Sequence, residues 1–229
     1  SLHYYDVLCV FVEARLRQGK STEPATRPAA EQLVSLGERV LGPGNPDLAP
    51  GLDCLGFVLR DLRELPGAWT LFERALRIRE ARLGLRHPEV AKSRSNLATV
   101  AFATGDYVRA KPLLENALSI GREKLAPDDP NLAATMNNLG LARSMLGDTL
   151  EVRALFERAR LIWEKRYGAA SPQVAFALHN LGAWELTRGE YTQAGSHLDR
   201  ALVIREKGLG GPTDLAATLR ERARLHLVL

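Results

Sequence analysis

The chain has little cysteine, no long apolar run and no uninterrupted basic stripe, and each absence removes a class of protein. Cys9 and Cys54 are its only cysteines in 229 residues. They form no CxxC pair and no disulfide framework, so neither a stapled fold nor a thiolate zinc site is expected. Both lie in apolar helical patterns and read as buried free thiols in a reducing compartment, which makes a cytoplasmic location the expectation. No run approaches the ~18 apolar residues of a membrane span, so no membrane partner is expected. The opening Ser1-Leu2-His3-Tyr4-Tyr5-Asp6 has no charged leader and no initiator Met, as expected of a chain cut from a longer protein. The net charge is +4, from 31 basic and 27 acidic residues. The basic residues are interleaved with Glu, as in Glu73-Arg74-Ala75-Leu76-Arg77-Ile78-Arg79-Glu80, where Glu73 and Arg77 are spaced as a helix-surface pair. A nucleic-acid surface needs a basic stripe with aromatics between the charges, so no nucleic-acid partner is expected.

Catalytic signals are missing as well. The histidines His3, His87, His179, His197 and His226 have no metal-ligand spacing. There is no Gly-rich phosphate loop and no nucleophile elbow. Gly19-Lys20-Ser21-Thr22 imitates the end of a phosphate loop but lacks the upstream Gly and the strand before it. No catalytic residue, metal or cofactor is assigned, and a non-enzyme is expected.

What is present is a period. Pro46, Pro88, Pro130 and Pro172 are spaced by 42 residues, and so are Leu55, Leu97, Leu139 and Leu181. Ala75, Ala117, Ala159 and Ala201 keep the same spacing, as do Ile78, Ile120, Ile162 and Ile204. Several independent columns at one period mark a repeat array. Four repeats are read at 46–87, 88–129, 130–171 and 172–211, each a pair of amphipathic helices. A Pro opens the first helix. Gly105-Asp106, Gly147-Asp148 or Gly189-Glu190 ends it, and the second helix ends near Leu83-Gly84, Leu125-Ala126, Tyr167-Gly168 and Leu209-Gly210. The first repeat departs, with Arg63-Glu64 at the turn and Pro66 starting its second helix. Pro112 predicts a bend or a shifted boundary in its helix. Residues 1–45 read as a degenerate opening pair, with helices over Leu2–Gln18 and Ala29–Leu41. Residues 212–229 read as a capping helix or a truncated repeat, with Arg222 where the echo of Leu132–Thr135 calls for a core Leu.

Small residues recur in the first helix (Gly56, Ala98, Gly140, Gly182), and large ones stand in the second (Phe72, Leu114, Phe156, Leu198). Small against large is what an antiparallel helix pair with short loops requires. The pattern resembles the tetratricopeptide repeat in its 42-residue, kinesin-light-chain-type form: N-L-A or N-N-L-G in the first helix and A-L-x-I-R-E in the second. The resemblance covers 46–211 well and the two ends loosely. It implies an all-α solenoid of antiparallel pairs, about eleven helices in a right-handed superhelix. It also implies a non-catalytic scaffold that grips a peptide or partner protein in a concave groove lined by first helices. The alternative is a regulatory module of a larger signalling protein with its effector elsewhere in the chain. His87 precedes Pro88 where the family often has H-P, so it is expected to be structural.

Asn96, Asn138 and Asn180 form one first-helix column. An amide both donates and accepts, so a ladder of them could hold a peptide backbone; equally, they could tie each first helix to its neighbour. The same face is expected to present Arg60, Lys92, Ser95, Thr99, Asn137, Ser144, Met145, Phe176 and His179, with Arg220 and Arg224 near its end and Asp53 and Asp61 mixing its charge. Phe176 reads as a ligand anchor or an inter-repeat contact. Self-association through the C-terminal helix, by way of Leu225 and Leu227, is the expected route to any homodimer. Changing Asn138 and Asn180 to Ala is expected to weaken a partner and to leave thermal stability almost unchanged.

Overall fold

The computed structural model describes residues 2–207 and 211–228. The expected helix end at Leu209-Gly210 lies outside them. The described residues form eleven α-helices and no strand, in two compact bodies. The first body, 1–124, holds α1 (Leu2–Arg17), α2 (Thr26–Leu41), α3 (Ala49–Asp61), α4 (Leu65–Leu83), α5 (Pro88–Thr104) and α6 (Tyr107–Lys124). The second, 125–229, holds α7 (Pro130–Met145), α8 (Val152–Tyr167), α9 (Pro172–Thr187), α10 (Tyr191–Glu206) and α11 (Pro212–Val228). Within each body, consecutive helices pack as antiparallel pairs and each pair stacks on the next: α2 on α3 and α4 on α5 in the first, α8 on α9 and α10 on α11 in the second. This is the all-α solenoid arrangement that the period predicts.

The small-against-large columns are the centre of each pair. A Cβ added at Gly56 would lie 2.7 Å from the Phe72 ring, one at Gly140 would lie 2.8 Å from Phe156, and one at Gly182 would lie 2.8 Å from Leu198. Ala98 and Leu114 occupy these columns in the α5–α6 pair, where one more carbon on the first helix accompanies a smaller side chain on the second. All four large side chains are fully buried. Gly inside a helix costs ~1 kcal/mol relative to Ala, whereas burying a Phe or Leu contributes about 1.5–3 kcal/mol, so the close approach wins.

The helix ends follow a second set of columns. Asn45, His87, Asp129 and Ser171 recur every 42 residues, and each accepts a backbone N–H of the turn that follows. The distances are 2.9 Å from Asp47 N to Asn45 Oδ1, 3.2 Å from Glu89 N to His87 Nδ1, 2.7 Å from Asn131 N to Asp129 Oδ1 and 3.4 Å from Val174 N to Ser171 Oγ. His87 is therefore a helix cap. At the turn inside each repeat, Gly105, Gly147 and Gly189 have φ of 75°, 72° and 75°. Arg63 stands in their column with φ of 67°, a left-handed conformation that costs a side-chain-bearing residue about 1–2 kcal/mol.

Four features differ from the sequence reading, two of them helix boundaries. Helix α2 starts at Thr26, three residues early, because the buried Thr26 hydroxyl donates to Lys20 O at 2.7 Å and accepts from Arg15 Nε at 3.0 Å. Pro28 then falls in the first turn, where no helical N–H bond is lost. Pro46 opens a single 3-10 turn, Pro46–Leu48, and α3 proper begins at Ala49. Helix α6 runs through Pro112 with its boundary unshifted; the carbonyl deprived of a donor belongs to Val108, which is exposed, so water can serve it. In α11, Leu225 is 1% exposed and packs on Leu186 and Ala194, so it is core and not a free association surface. Arg222 pairs with Asp199 of α10 at 2.5 Å.

Ion pairs lace the second-helix side of each body at separations of 36 or 37 residues. Arg27–Glu64 (2.6 Å), Glu38–Arg74 (2.5 Å) and Arg86–Glu123 stand in the first body. Asp128–Lys165 (2.6 Å), Arg153–Glu190 and Glu164–Arg200 stand in the second. The Glu73–Arg77 pair opens to 3.9 Å between exposed side chains and contributes little.

The Gly–Phe and Ala–Leu pairings generate a testable coupling. Gly140→Ala alone should destabilise the chain by about 1–2 kcal/mol through overlap with Phe156. Combined with Phe156→Leu, it reproduces the Ala98–Leu114 pair, and urea unfolding of the four-variant cycle should give a favourable coupling of at least ~0.5 kcal/mol.

Candidate functional site

In the first body, the first-helix side carries a cavity of about 410 Å³ between α1, α3 and α5. Leu16, Pro50, Cys54 and Phe57 give it apolar walls, and its charged lining includes Glu13, Arg17, Arg60, Asp61 and Lys92. The charges are paired: Arg17 with Glu13 at 2.9 Å, and Arg60 with Asp61 at 2.7 Å. Lys92 Nζ stands 3.8 Å from Glu89. Arg60 also lies over the Phe57 ring, 5.0 Å from its centroid, and donates to Thr99 Oγ1 at 3.3 Å. Phe57 in turn meets Phe72 edge-on at 5.0 Å, so the site is anchored in the core.

Asp53 also lines this cavity but is only 5% exposed. Its Oδ2 lies 2.8 Å from Arg79 Nη1, and Arg79 itself is 2% exposed and donates to Ser93 Oγ at 2.6 Å. Burial pushes the Asp53 carboxyl up, against the pull of the Arg79 guanidinium. The pair ties α4 to α3 and α5, so the charge of Asp53 is spent inside the body and is not offered to a ligand. Cys54 is buried, and desolvation pushes its thiol up to about 12, which disfavours the nucleophilic thiolate.

Of the predicted residues in this body, Arg60 and Lys92 line the cavity and Thr99 supports Arg60. Ser95 is half-buried. Asn96 is 7% exposed, so little of its amide is open to a ligand. Glu13, Leu16, Arg17 and Phe57 were missed. Phe57 was legible, since it follows Asp53 by four residues and precedes Arg60 by three on one helical face. The α1 residues were not, because only packing brings that irregular helix beside α3.

In the second body, Asn180 Nδ2 donates to Asn137 Oδ1 at 3.1 Å, and Asn137 Nδ2 approaches Asn138 Oδ1 at 3.4 Å. Asn137 and Asn180 are 1% and 7% exposed. The hydrogen bond joins α7 to α9, the tying role, whereas Asn138 is half-buried at the surface. His179 Nδ1 lies 3.2 Å from Thr218 Oγ1, and Arg205, 4% exposed, donates to that same hydroxyl and to Asp214 O at 2.6 Å. Burial first and Arg205 second push His179 down to about 4. Phe176 (39%) and Met145 (54%) are exposed, as are Arg220 and Arg224, and Ser144 is half-buried. Arg224 pairs with Glu221 at 2.7 Å. A cluster that sequence reasoning missed surrounds Glu185, which is 0% exposed and meets Arg153 at 2.6 Å and His197 Nδ1 at 2.7 Å.

Two consequences can be measured. Asn180→Ala should lower stability by about 1–2 kcal/mol, because it leaves Asn137 without its buried donor; Asn138→Ala should cost less than half of that in the same denaturant titration. For His179, the unfolded chain takes up a proton near pH 6.5 that the folded body refuses until about 4. Stability should therefore fall as pH drops through that window, by up to ~3 kcal/mol, and His179→Asn should remove this component of the acid sensitivity.

The tetratricopeptide repeat model matches residues 47–123, 91–159 and 146–207. Among solved structures, the chain is similar to a Podosopora anserina kinesin-light-chain protein of nearly identical TPR-like repeats, with a TM-score of 0.67 and 21% identity over 90% of this chain and 97% of that one. It is also similar to BtubC (BKLC) from P. vanneervenii, at a TM-score of 0.72 and 22% identity over 87% and 81%. A Rap protein complexed with Competence and Sporulation Factor superposes at a TM-score of 0.73 with 18% identity, over 87% of this chain and 53% of the Rap chain. Identities this low speak for the fold alone. Among curated protein sequences none matches. With the repeat model spanning most of its length and the helix pairs, caps and small-against-large columns in place, the chain belongs to the tetratricopeptide repeat family.

Proposed function

We propose that the chain is a non-catalytic scaffold that holds a peptide segment of a partner protein on the first-helix side of its bodies. The observation that carries this reading is the cavity in the first body: about 410 Å³, with an apolar floor at Leu16, Pro50, Cys54 and Phe57 and charged side chains around it. An apolar floor buries a ligand side chain, and a rim of paired charges sets its register without a large desolvation cost. The one thiol at the site, Cys54, is buried, and desolvation favours its protonated form, in keeping with a binding role. In the second body, the half-buried Asn138 and the exposed Phe176 offer an amide and an apolar contact on first helices. A similar fold is seen in the Rap protein complexed with Competence and Sporulation Factor, which supports the use of such a stack for holding a ligand.

Peptides selected by display against the 229-residue chain test this reading. In fluorescence polarisation, Lys92→Glu and Arg17→Glu should each weaken binding about tenfold or more. Their side chains are 56% and 80% exposed, so melting temperature should hardly move. Arg77→Glu, on the second-helix side, should leave affinity unchanged. Selected peptides that bind both rim variants as tightly as the parent would place the ligand elsewhere and overturn the assignment.

A further inference from the structure

On the second-helix side, the loop that enters a repeat faces the end of that repeat's second helix across a notch, and in two repeats a carboxylate occupies it. Arg86 pairs with Glu123, and one repeat later Asp128 pairs with Lys165 at 2.6 Å. Loop partner and helix partner stand 37 residues apart in both, with their signs exchanged. A second cation attends each: Lys124 meets Glu123 at 2.8 Å, and Arg166 shares one cavity with Asp128. In the repeat before them the same two positions are Gly44 and Ala81, and neither can form the pair. A Cβ added at Gly44 would meet nothing within 4 Å, and a cavity of about 550 Å³ lies between the loop and α4.

The lining of this cavity carries charge of one sign. Arg74, Arg77 and Arg82 surround an apolar base of Pro43 and Ile78, and no carboxylate lines it among the described residues. The cavity at the corresponding place in the second body, about 340 Å³, sets Asp128 and Asp129 against Lys165 and Arg166 and is balanced within itself. Arg74 is committed to the protein: it pairs with Glu38 at 2.5 Å and donates to Pro43 O at 3.5 Å, which holds the loop. Arg77 is not, because its Nη2 stands 3.9 Å from Glu73, beyond hydrogen-bond reach, and its side chain is 67% exposed. Arg82, the counterpart of Lys124 and Arg166, is exposed and makes no ion pair among the described residues.

We propose that this notch binds a phosphoryl group, which takes the place that the protein's own carboxylates hold in the two following repeats. A guanidinium presents a fork of N–H donors that meets phosphate oxygens two at a time. Two guanidinia left without partners match the charge of a phosphomonoester near pH 7, about −1.5 to −2. Arg77 and Arg82 donate to its oxygens, and Arg74 adds charge beside them while keeping the loop in position. The remaining space lets a short organic part of the ligand rest against Pro43 and Ala81. The notch lies on the second-helix side, away from the cavity between α1, α3 and α5, so its failure would leave the scaffold reading untouched.

Titration of the 229-residue chain at fixed ionic strength, followed by the arginine Nε–H signals in proton–nitrogen correlation spectra, tests the proposal. The probes are inorganic phosphate and N-acetyl-phosphoserine amide, with N-acetyl-serine amide as the control. The Arg77 and Arg82 signals should shift saturably with a phosphorylated probe, with a dissociation constant of about 1 mM, and should not respond to the control. Arg77→Gln and Arg82→Gln should each weaken binding about tenfold. Gly44→Arg combined with Ala81→Glu rebuilds the Arg86–Glu123 pair and should abolish binding without lowering the melting temperature. Gly44 has no left-handed φ, so it accepts a side chain. Tighter binding of the phosphoserine probe assigns a phosphorylated side chain as the ligand, whereas equal or tighter binding of inorganic phosphate assigns free phosphate. Arginine signals that ignore both phosphorylated probes, that respond equally to the control, or that still respond in the rebuilt-pair variant would overturn the proposal.

Discussion

Two helices of a repeat can pack closely only where one of them presents no more than a methyl group, and the rest of each body depends on that contact. At Gly56, Gly140 and Gly182 even a methyl group would press into the facing ring or leucine. The contact fixes how far apart the paired helices lie. That spacing decides which residues reach the next pair and which are left on the surface. The conformational cost of a mid-helix Gly is smaller than the gain from enclosing Phe72, Phe156 or Leu198, which is why the small residue recurs at one phase of the period. The Ala98–Leu114 pair meets the same constraint with the volumes redistributed.

Polar groups inside the bodies serve the stack before they serve a ligand. Arg79 joins α4 to Asp53 of α3 and Ser93 of α5. Glu185 of α9 joins Arg153 of α8 to His197 of α10. Arg205 of α10 reaches Asp214 and Thr218 of α11. Each is a buried charge held by partners on neighbouring helices, and removing one partner of such a set costs far more than the set contributes as a whole. These links specify which helix follows which. Together with the Asn180–Asn137 hydrogen bond they withdraw Asp53, Asn137 and Asn180 from the surface, which leaves Arg17, Arg60, Lys92 and the apolar floor in one body and Asn138 and Phe176 in the other for the proposed recognition.

Helix caps and turns show how the local code and the packing divide the work. The columns Asn45, His87, Asp129 and Ser171 are four different residues with one task, which is to accept a backbone N–H ahead of a helix. A periodic reading that looks for identical letters passes over them. The left-handed turn at Gly105, Gly147 and Gly189 is kept at Arg63 against its conformational preference, between two helices that pack as a pair as in the other repeats.

The repeats, the two helices in each and the facing small and large columns could all be read from residues alone. They depend on periodicity and local sterics, and both are written along the chain. The role of the Asn column could not, because a donor on α9 meets Asn137 only once α7 and α9 are stacked. The cavity of the first body was equally out of reach: its α1 wall keeps no register with the repeats, and only the fold sets Glu13, Leu16 and Arg17 beside Phe57 and Arg60. Side-chain spacing determines which helices form and which faces they bury. Which polar groups remain free to meet a partner is decided by three-dimensional contacts between residues about 40 positions apart.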